Sequence, residues 1–180
     1  MLDRLLWIWE QGSSGDVGVR GRLALRHTGC RGFRCFTASS DDAVIGFAYG
    51  MYDGRGSGLG EPEDPISLGS HDLLAELIAR EDEGGAIRTD PEWLGAYDLA
   101  EVQVLAGYRC RGIGEALVRR LCRSLPAFDR VILIVEPQNT SARRLYESVG
   151  FQDLSDVPVI SRRVAISPQV LMGLGRAGDA

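Results

Sequence analysis

Residues Val131–Val135 constrain the fold of this chain more than any other segment. All of them are Val, Ile or Leu, so a strand here has no polar face. Such a strand must be covered on both sides to be shielded from water. Amphipathic helical patterns lie on either side of it, at Ile113–Leu125 and at residues 139–149. The sequence therefore predicts an α/β domain with a central sheet and helices on both faces.

Other strand patterns precede and follow this segment. Residues 32–39 and 43–51 flank a turn at residues 40–42 and predict a β-hairpin. Phe151 begins a further predicted strand, and Val164–Met172 predicts a last one, interrupted at Pro168. The strand at residues 97–105 is expected to place alternate side chains on opposite faces. These two sets are Tyr97, Leu99, Glu101 and Gln103 against Asp98, Ala100, Val102 and Val104.

Composition bounds the class of protein. A length of 180 residues suits a single domain, which we expect to span residues 1–180. The net charge of −5 provides no basic face, so we expect no nucleic-acid partner. No signal peptide or membrane-spanning run is evident, which predicts a cytoplasmic protein with no membrane partner. The four cysteines contain no Cys-x-x-Cys pair, which predicts reduced thiols and no metal: Cys30, Cys35, Cys110 and Cys122.

The segment Arg109-Cys110-Arg111-Gly112-Ile113-Gly114 joins the predicted strand at 97–105 to the predicted helix at 113–125. The two glycines let the backbone approach a ligand closely, because no side chain intervenes. The amides that begin the helix form a small anion site. Two arginines in the same loop strengthen the prediction of a phosphorylated ligand.

A dinucleotide is one candidate for that ligand. Gly112-x-Gly114 opens a helix, and Glu136 ends the next strand at about the 20-residue distance of a Rossmann fingerprint. Against this, Leu117 stands where a third glycine should be, and the glycines trail the strand by residues 106–111. A Walker phosphate loop is excluded, because the chain contains no lysine.

Coenzyme A fits the pattern better. Arg109-x-x-Gly112-x-Gly114 resembles the (Arg/Gln)-x-x-Gly-x-(Gly/Ala) pyrophosphate loop of the GNAT acetyltransferase superfamily, and a Val-x-Val strand precedes it at residues 102–104. A second block follows after one buried strand: Asn139-x-x-Ala142-x-x-Leu145-Tyr146-x-x-x-Gly150-Phe151. The two blocks in this order are much more specific than either alone. The resemblance is firm over Leu99–Phe151 and also includes the earlier hairpin at Arg34–Tyr49.

The resemblance implies a mixed, mostly antiparallel sheet of six strands whose central pair splays apart, with acetyl-CoA as co-substrate. The cofactor core would span residues 97–151. Main-chain amides from Arg111 to Gly114 would hold the pyrophosphate, and Val102 and Val104 would offer a strand edge to the pantetheine arm. Asn139 would bind that arm from the opposite side, although it is equally suited to be a helix N-cap. The cofactor-binding residues implied are Val102, Gln103, Val104, Arg109, Cys110, Arg111, Gly112, Ile113, Gly114, Glu115, Asn139, Ala142 and Arg143.

Two residues are candidates for catalysis. Tyr146 matches the family's general acid near the departing sulfur, but its helical face would also suit a core aromatic. Glu101 lies mid-strand, where the family often places a glutamate that deprotonates the amine. Its alternative is a carboxylate on a solvated strand face beside Gln103.

The resemblance implies an N-acetyltransferase that moves an acetyl group from acetyl-CoA to a primary amine by direct transfer. Small amines, aminoglycoside-like antibiotics and protein N-termini remain open as acceptors, and a homodimer through the last strand is common in the family. The rival interpretation is a non-catalytic acyl-CoA-binding or regulatory domain.

The chain departs from the family at its N-terminus, where the first strand is not evident, and by an insertion at residues 53–95 that we expect to be a lid or pocket wall. The weaker site candidates each have a simpler alternative. A surface or capping position is favoured for His27 and His71, a solvated loop for the acidic residues at 53, 61, 63 and 64, and core packing is as plausible as a pocket role for Trp93 and Tyr97.

Overall fold

The computed structural model describes residues 7–8, 24–52, 74, 93, 95–126, 129–154, 158 and 168–175. Its strands are β1 (Arg34–Ser40), β2 (Ala43–Tyr52), β3 (Tyr97–Val104), β4 (Val131–Val135), β5 (Gln152–Asp153) and β6 (Val170–Leu174). Its full helices are α1 (Ile113–Ser124) and α2 (Thr140–Val149), and a 3-10 turn covers Ala106–Tyr108.

The described strands form one sheet in the order β1-β2-β3-β4-β6-β5. Only the β3–β4 pair is parallel, and every other neighbouring pair is antiparallel. The predicted α/β class with a mixed, mostly antiparallel sheet is therefore confirmed. The apolar run of β4 lies between β3 and β6, as its composition requires.

The two central strands part soon after they meet. Strands β3 and β4 are paired only at Tyr97↔Val131 and Asp98↔Ile132. The rest of β3 keeps its ladder with β2 but has none with β4. The predicted splay of the central pair is confirmed, and it leaves the second half of β3 with one edge open.

Both faces of the sheet are covered. On one face, α1 and α2 pack in one cluster with the sheet residues Ala48, Leu99 and Leu133. On the other face, helical residues Ile8 and Ala24 pack against β2, where they bury Phe47. The expectation of helices on both faces is confirmed.

The hairpin between β1 and β2 is as tight as its sequence predicts. Ser40 pairs with Ala43, so the turn contains only Asp41 and Asp42. Both have positive φ angles, 48° and 64°, as a two-residue type I′ turn requires. Aspartate tolerates this left-handed region better than most residues, since its short side chain can hydrogen-bond locally.

The simple alternation predicted along β3 is wrong. Tyr97 and Leu99 belong to the same core cluster against which Val102 and Val104 pack, whereas Ala100 packs against the opposite cluster. The reason is a register shift: Glu101 pairs with Tyr49, but Asp98 pairs with Met51. An extra residue on β3 at this bulge changes which face the later side chains occupy.

Two caps and a proline delimit the C-terminal elements. Asn139 caps α2 by accepting a hydrogen bond from the Ala142 amide at 3.2 Å, and Gly150 ends the helix at a φ of 114°. The predicted strand after Phe151 is the short β5. The last strand begins only at Val170, beyond Pro168, and residues 159–167 lie outside the described part of the chain.

Several expectations concern residues that the structure does not describe. They include most of the N-terminal region, nearly all of the insertion at 53–95, His71 and the acidic residues at 53, 61, 63 and 64. Among the described residues, no helix is long and apolar enough to cross a membrane. All four cysteines are free thiols.

Gly50 is expected to be required by the bulge. A Cβ at this position would lie 2.5 Å from Tyr97 Cε1 and closer still to the Asp98 carbonyl oxygen. Because that oxygen belongs to the backbone, Gly50→Ala should destabilise the fold by about 1–3 kcal/mol, the usual range for overpacking. Urea denaturation would measure the loss.

Gly107→Ala is the matched control, since a Cβ there meets nothing within 4 Å. Equal free energies of unfolding for the two variants would contradict a steric role for Gly50.

Candidate active site

A cleft of about 510 Å³ lies where β3 parts from β4. Its walls come from the end of β3, the loop that follows, and the first turns of α1 and α2. The lining residues are Val102, Gln103, Val104, Tyr108, Arg109, Cys110, Gly112, Ile113, Gly114, Glu115, Asn139, Ser141, Ala142, Leu145 and Tyr146. The structure thus gathers most of the residues singled out in the sequence around one cavity.

The loop before α1 has a backbone shaped by left-handed residues. Cys110 and Gly112 have φ angles of 58° and 77°. In the first backbone hydrogen bond of the helix, the Ala116 amide donates to the Gly112 carbonyl oxygen. The amides of residues 113–115 therefore lie at the positive end of α1 without intrahelical acceptors, which suits them to bind an anion.

The two arginines of this loop have different surroundings. Arg109 donates from Nε to the Val104 carbonyl oxygen at 2.8 Å, which ties the loop back to the end of β3. The Arg111 guanidinium lies 5.4 Å from the centre of the Tyr108 ring, in a cation–π contact. Arg109 lines the cleft and Arg111 does not.

Gly114 allows α1 and α2 to approach each other. A Cβ on Gly114 would lie 2.7 Å from Leu145 Cδ1. The sequence suggested that this glycine clears space for a ligand. The structure adds a packing role, since Leu145 fills the space beside it.

Asn139 both caps α2 and lines the cleft. Its Oδ1 accepts the Ala142 amide, so the N-cap alternative is confirmed. Its ligand-binding role stays a prediction. Both roles are compatible, because the side chain also has amide hydrogens to donate.

Tyr146 is a core aromatic and a cleft residue at once. Its ring lies 5.8 Å from that of Phe151 and packs against the core, yet the residue lines the cavity. Burial raises the pKa of the Tyr146 hydroxyl, and the Glu101 carboxylate raises it further. The phenol therefore keeps its proton at neutral pH, as a general acid must before it acts.

Glu101 is partly buried on β3, and it lies near enough to Tyr146 for its negative charge to act on the Tyr146 hydroxyl. One of its oxygens accepts a hydrogen bond from the Gln103 side-chain amide, at 2.9 Å between Nε2 and Oε1. The prediction that Glu101 and Gln103 lie on the same side of the strand is confirmed. Glu101 does not itself line the cavity, but its hydrogen-bond partner Gln103 does.

The structure separates Arg143 from the other predicted cofactor residues. Its guanidinium pairs with Asp153 at 2.7 Å and lies 3.9 Å from Glu147, outside the cavity lining. Trp93 and Tyr97 also lie away from the cleft. Both are packed in the core, Tyr97 with no exposed surface.

Some residues near the site were not singled out in the sequence. Tyr108 and Ser141 line the cleft; each directly adjoins a motif position or a cap, and that adjacency is the only signal for them. His27 was expected to be a surface or capping residue. Instead it is partly buried, with its Nδ1 3.2 Å from the Tyr49 hydroxyl.

The sequence of this chain also matches a known protein family. The sequence model described as the acetyltransferase (GNAT) family matches residues 4–151. The mycothiol acetyltransferase of Corynebacterium diphtheriae is 41% identical over 66 residues, which cover 36% of this chain and 20% of that protein. The chain thus matches only a fifth of the length of this curated relative.

Solved structures with the same fold include the following two. The ribosomal-protein-S18-alanine N-acetyltransferase of Escherichia coli aligns with a TM-score of 0.60 at 16% identity, over 99% of this chain and 90% of that one. The protein yncA of Salmonella typhimurium, solved with its cofactor acetyl-CoA, aligns with a TM-score of 0.51 at 16% identity, over 93% and 78%.

His27 should make stability depend on pH. Burial lowers the pKa of His27 from 6.5 to about 4, so the unfolded chain binds this proton more tightly than the folded one does. Protonation of the unfolded chain then favours unfolding, and stability falls as the pH decreases from 6.5 towards 4. Above pH 6.5 the effect is constant.

His27→Gln removes the titrating group and keeps a polar side chain. Urea denaturation between pH 4 and pH 8 should show the variant gaining on the wild type below pH 6.5. Parallel stability curves for the two proteins would show that His27 is not buried in its neutral form.

Proposed function

The chain belongs to the GNAT acetyltransferase family, and from this premise we propose that it transfers the acetyl group of acetyl-CoA to a primary amine. One observation carries the proposal. A single cleft joins the free amides at the start of α1 to the buried hydroxyl of Tyr146, along the open edge of β3.

The cleft has the chemistry to hold each part of acetyl-CoA. The amides of residues 113–115, at the positive end of α1, suit the pyrophosphate. The second half of β3, which has no ladder with β4, can pair with the amides of the pantetheine arm as a strand edge does. Asn139, across the cleft, would supply a side-chain amide to the same arm.

Tyr146 and Glu101 would divide the proton transfers. Acetyl-CoA supplies a thioester whose acetyl carbon is attacked by the amine. Glu101 accepts the proton that the amine loses, directly or through a water molecule, and Tyr146 donates its proton to the sulfur as the C–S bond breaks. A C–N bond forms in the same exchange, so the acetyl group passes to the amine without an acyl-enzyme.

The interaction between the two residues supports this division. The negative charge of Glu101 disfavours ionisation of Tyr146 and so keeps the acid protonated while the base is charged. A protonated acid beside a charged base is the arrangement that the two proton transfers require.

The acceptor is proposed only as a primary amine. A screen of purified protein with acetyl-CoA should use three amines of different classes: an aminoglycoside, a peptide with an N-terminal alanine, and a short alkyl diamine. Release of free CoA thiol would report turnover. Calorimetric binding of CoA without turnover on any of these amines would favour the non-catalytic acyl-CoA-binding domain instead.

Tyr146→Phe tests the acid. Loss of a general acid typically costs 10²–10⁴-fold, so we expect kcat to fall by about 100-fold or more. The dissociation constant for acetyl-CoA should stay within about twofold, since a single hydroxyl is removed. Thiol release and calorimetry would measure the two quantities.

Tyr52→Phe is the matched control. Tyr52 donates its hydroxyl hydrogen bond to Asp129 and does not line the cleft, so its loss should affect stability and leave kcat unchanged. Unchanged turnover in Tyr146→Phe would remove the acid role.

Glu101→Gln tests the base. The variant should turn over more slowly, and the fall in kcat/KM of the wild type towards low pH should disappear, because the carboxylate that titrates there is gone. A pH–rate profile that matches the wild type in shape and height would argue against this role for Glu101.

A further inference from the structure

The side chain of Gln103 does more than line the cleft. Its Nε2 donates to Glu101 Oε1 at 2.9 Å. Residues two apart on a strand project from the same face, so the contact needs no distortion of β3. Gln103 therefore touches both the cavity and the proposed base.

The sheet face beneath this pair is aromatic and buried. Glu101 and Gln103 are the ladder partners of Tyr49 and Phe47 on β2, and directly opposed residues share a face. The two aromatic rings are stacked at 6.3 Å between centroids, and Tyr49 is only 3% exposed. The Tyr49 hydroxyl is further held by His27. Because the rings of Phe47 and Tyr49 are buried and packed, they limit the positions that the side chains of Glu101 and Gln103 can take.

We infer that Gln103 is a positioning residue, whose side-chain amide holds the Glu101 carboxylate in the orientation needed to accept the proton of the amine. This inference rests on the proposed function, in which Glu101 is the base. The last torsion of a glutamate is broad and weakly restrained on its own. A hydrogen bond to one oxygen fixes that torsion and leaves the direction of the other oxygen defined.

The same hydrogen bond has an electrostatic effect. An amide that donates to a carboxylate stabilises the charged form, which keeps a base ionised at lower pH. Gln103 would therefore set both the orientation of Glu101 and the lower limit of the pH range in which it works.

Gln103→Met tests the inference, because methionine has a similar length and no donor. We expect kcat with the best amine of the panel to fall by about tenfold, since that factor corresponds to the roughly 1.4 kcal/mol that a hydrogen bond to a charged group can contribute. The acidic limb of kcat/KM should move to higher pH, and the KM for acetyl-CoA should stay within about twofold.

A matched control exists in the same chain. Gln138 donates from Nε2 to Glu136 Oε2 at 3.2 Å, so it repeats the glutamine–glutamate pair two residues apart, on exposed residues that do not line the cleft. Gln138→Met should leave kcat and the acidic limb as in the wild type.

Titration of the glutamate carboxyl carbons by ¹³C NMR makes the test independent of the acceptor. The Glu101 signal, assigned from its absence in Glu101→Gln, should titrate at higher pH in Gln103→Met than in the wild type. Gln103→Glu provides a second variant, and its added negative charge should move the Glu101 titration in the same direction. Thermal melting would verify that each variant is folded.

The outcomes separate the inference from the proposed function. If Glu101→Gln is slow but Gln103→Met keeps the wild-type kcat, acidic limb and Glu101 titration, the inference is overturned and the base role stands. If Glu101→Gln keeps the wild-type profile, the base role itself fails, and the inference fails with it. A slow Gln103→Met with a displaced limb, beside a normal Gln138→Met, supports the inference.

Discussion

The parting of β3 from β4 is the constraint on which the site depends. Two ladder pairs at Tyr97 and Asp98 hold these strands together at one end, and beyond them each follows different neighbours. A sheet interior normally leaves no room for a ligand, because every strand edge is paired. Here the open edge lies inside the fold, bounded by α1 and α2, and the cavity occupies the space between.

The bulge in β3 works together with this opening. It brings Val102 and Val104 to the face covered by α1 and α2, and it places Glu101 and Gln103 on the face of Phe47 and Tyr49. A regular strand would have left Glu101 on the same face as the buried Leu99. The bulge therefore lets one strand contribute apolar packing to one face and a polar pair to the other.

The sequence predicted the fold class, the hairpin and both full helices, because each depends on local patterns. The splayed pair was implied only by the resemblance to the GNAT family. The bulge escaped prediction because it depends on pairing with β2, where Gly50 admits the Asp98 carbonyl. Arg143 and His27 escaped for a similar reason: their surroundings come from residues 10 and 22 positions away, Asp153 and Tyr49. A motif indicates which residue types are present. The contacts that each side chain makes depend on partners that are distant along the chain.

The N-cap of α2 uses only one of the two polar groups of the Asn139 side chain. Asn139 gives its oxygen to the Ala142 amide, so the oxygen serves the helix and the NH₂ group is the end suited to a molecule in the cleft. Aspartate caps helices about as well as asparagine but has no hydrogen to donate. An aspartate here would preserve the architecture and turn a donor into a negative charge facing the cavity. At this position the oxygen of the amide serves the helix, and the NH₂ group of the same amide carries the proposed contact with the ligand.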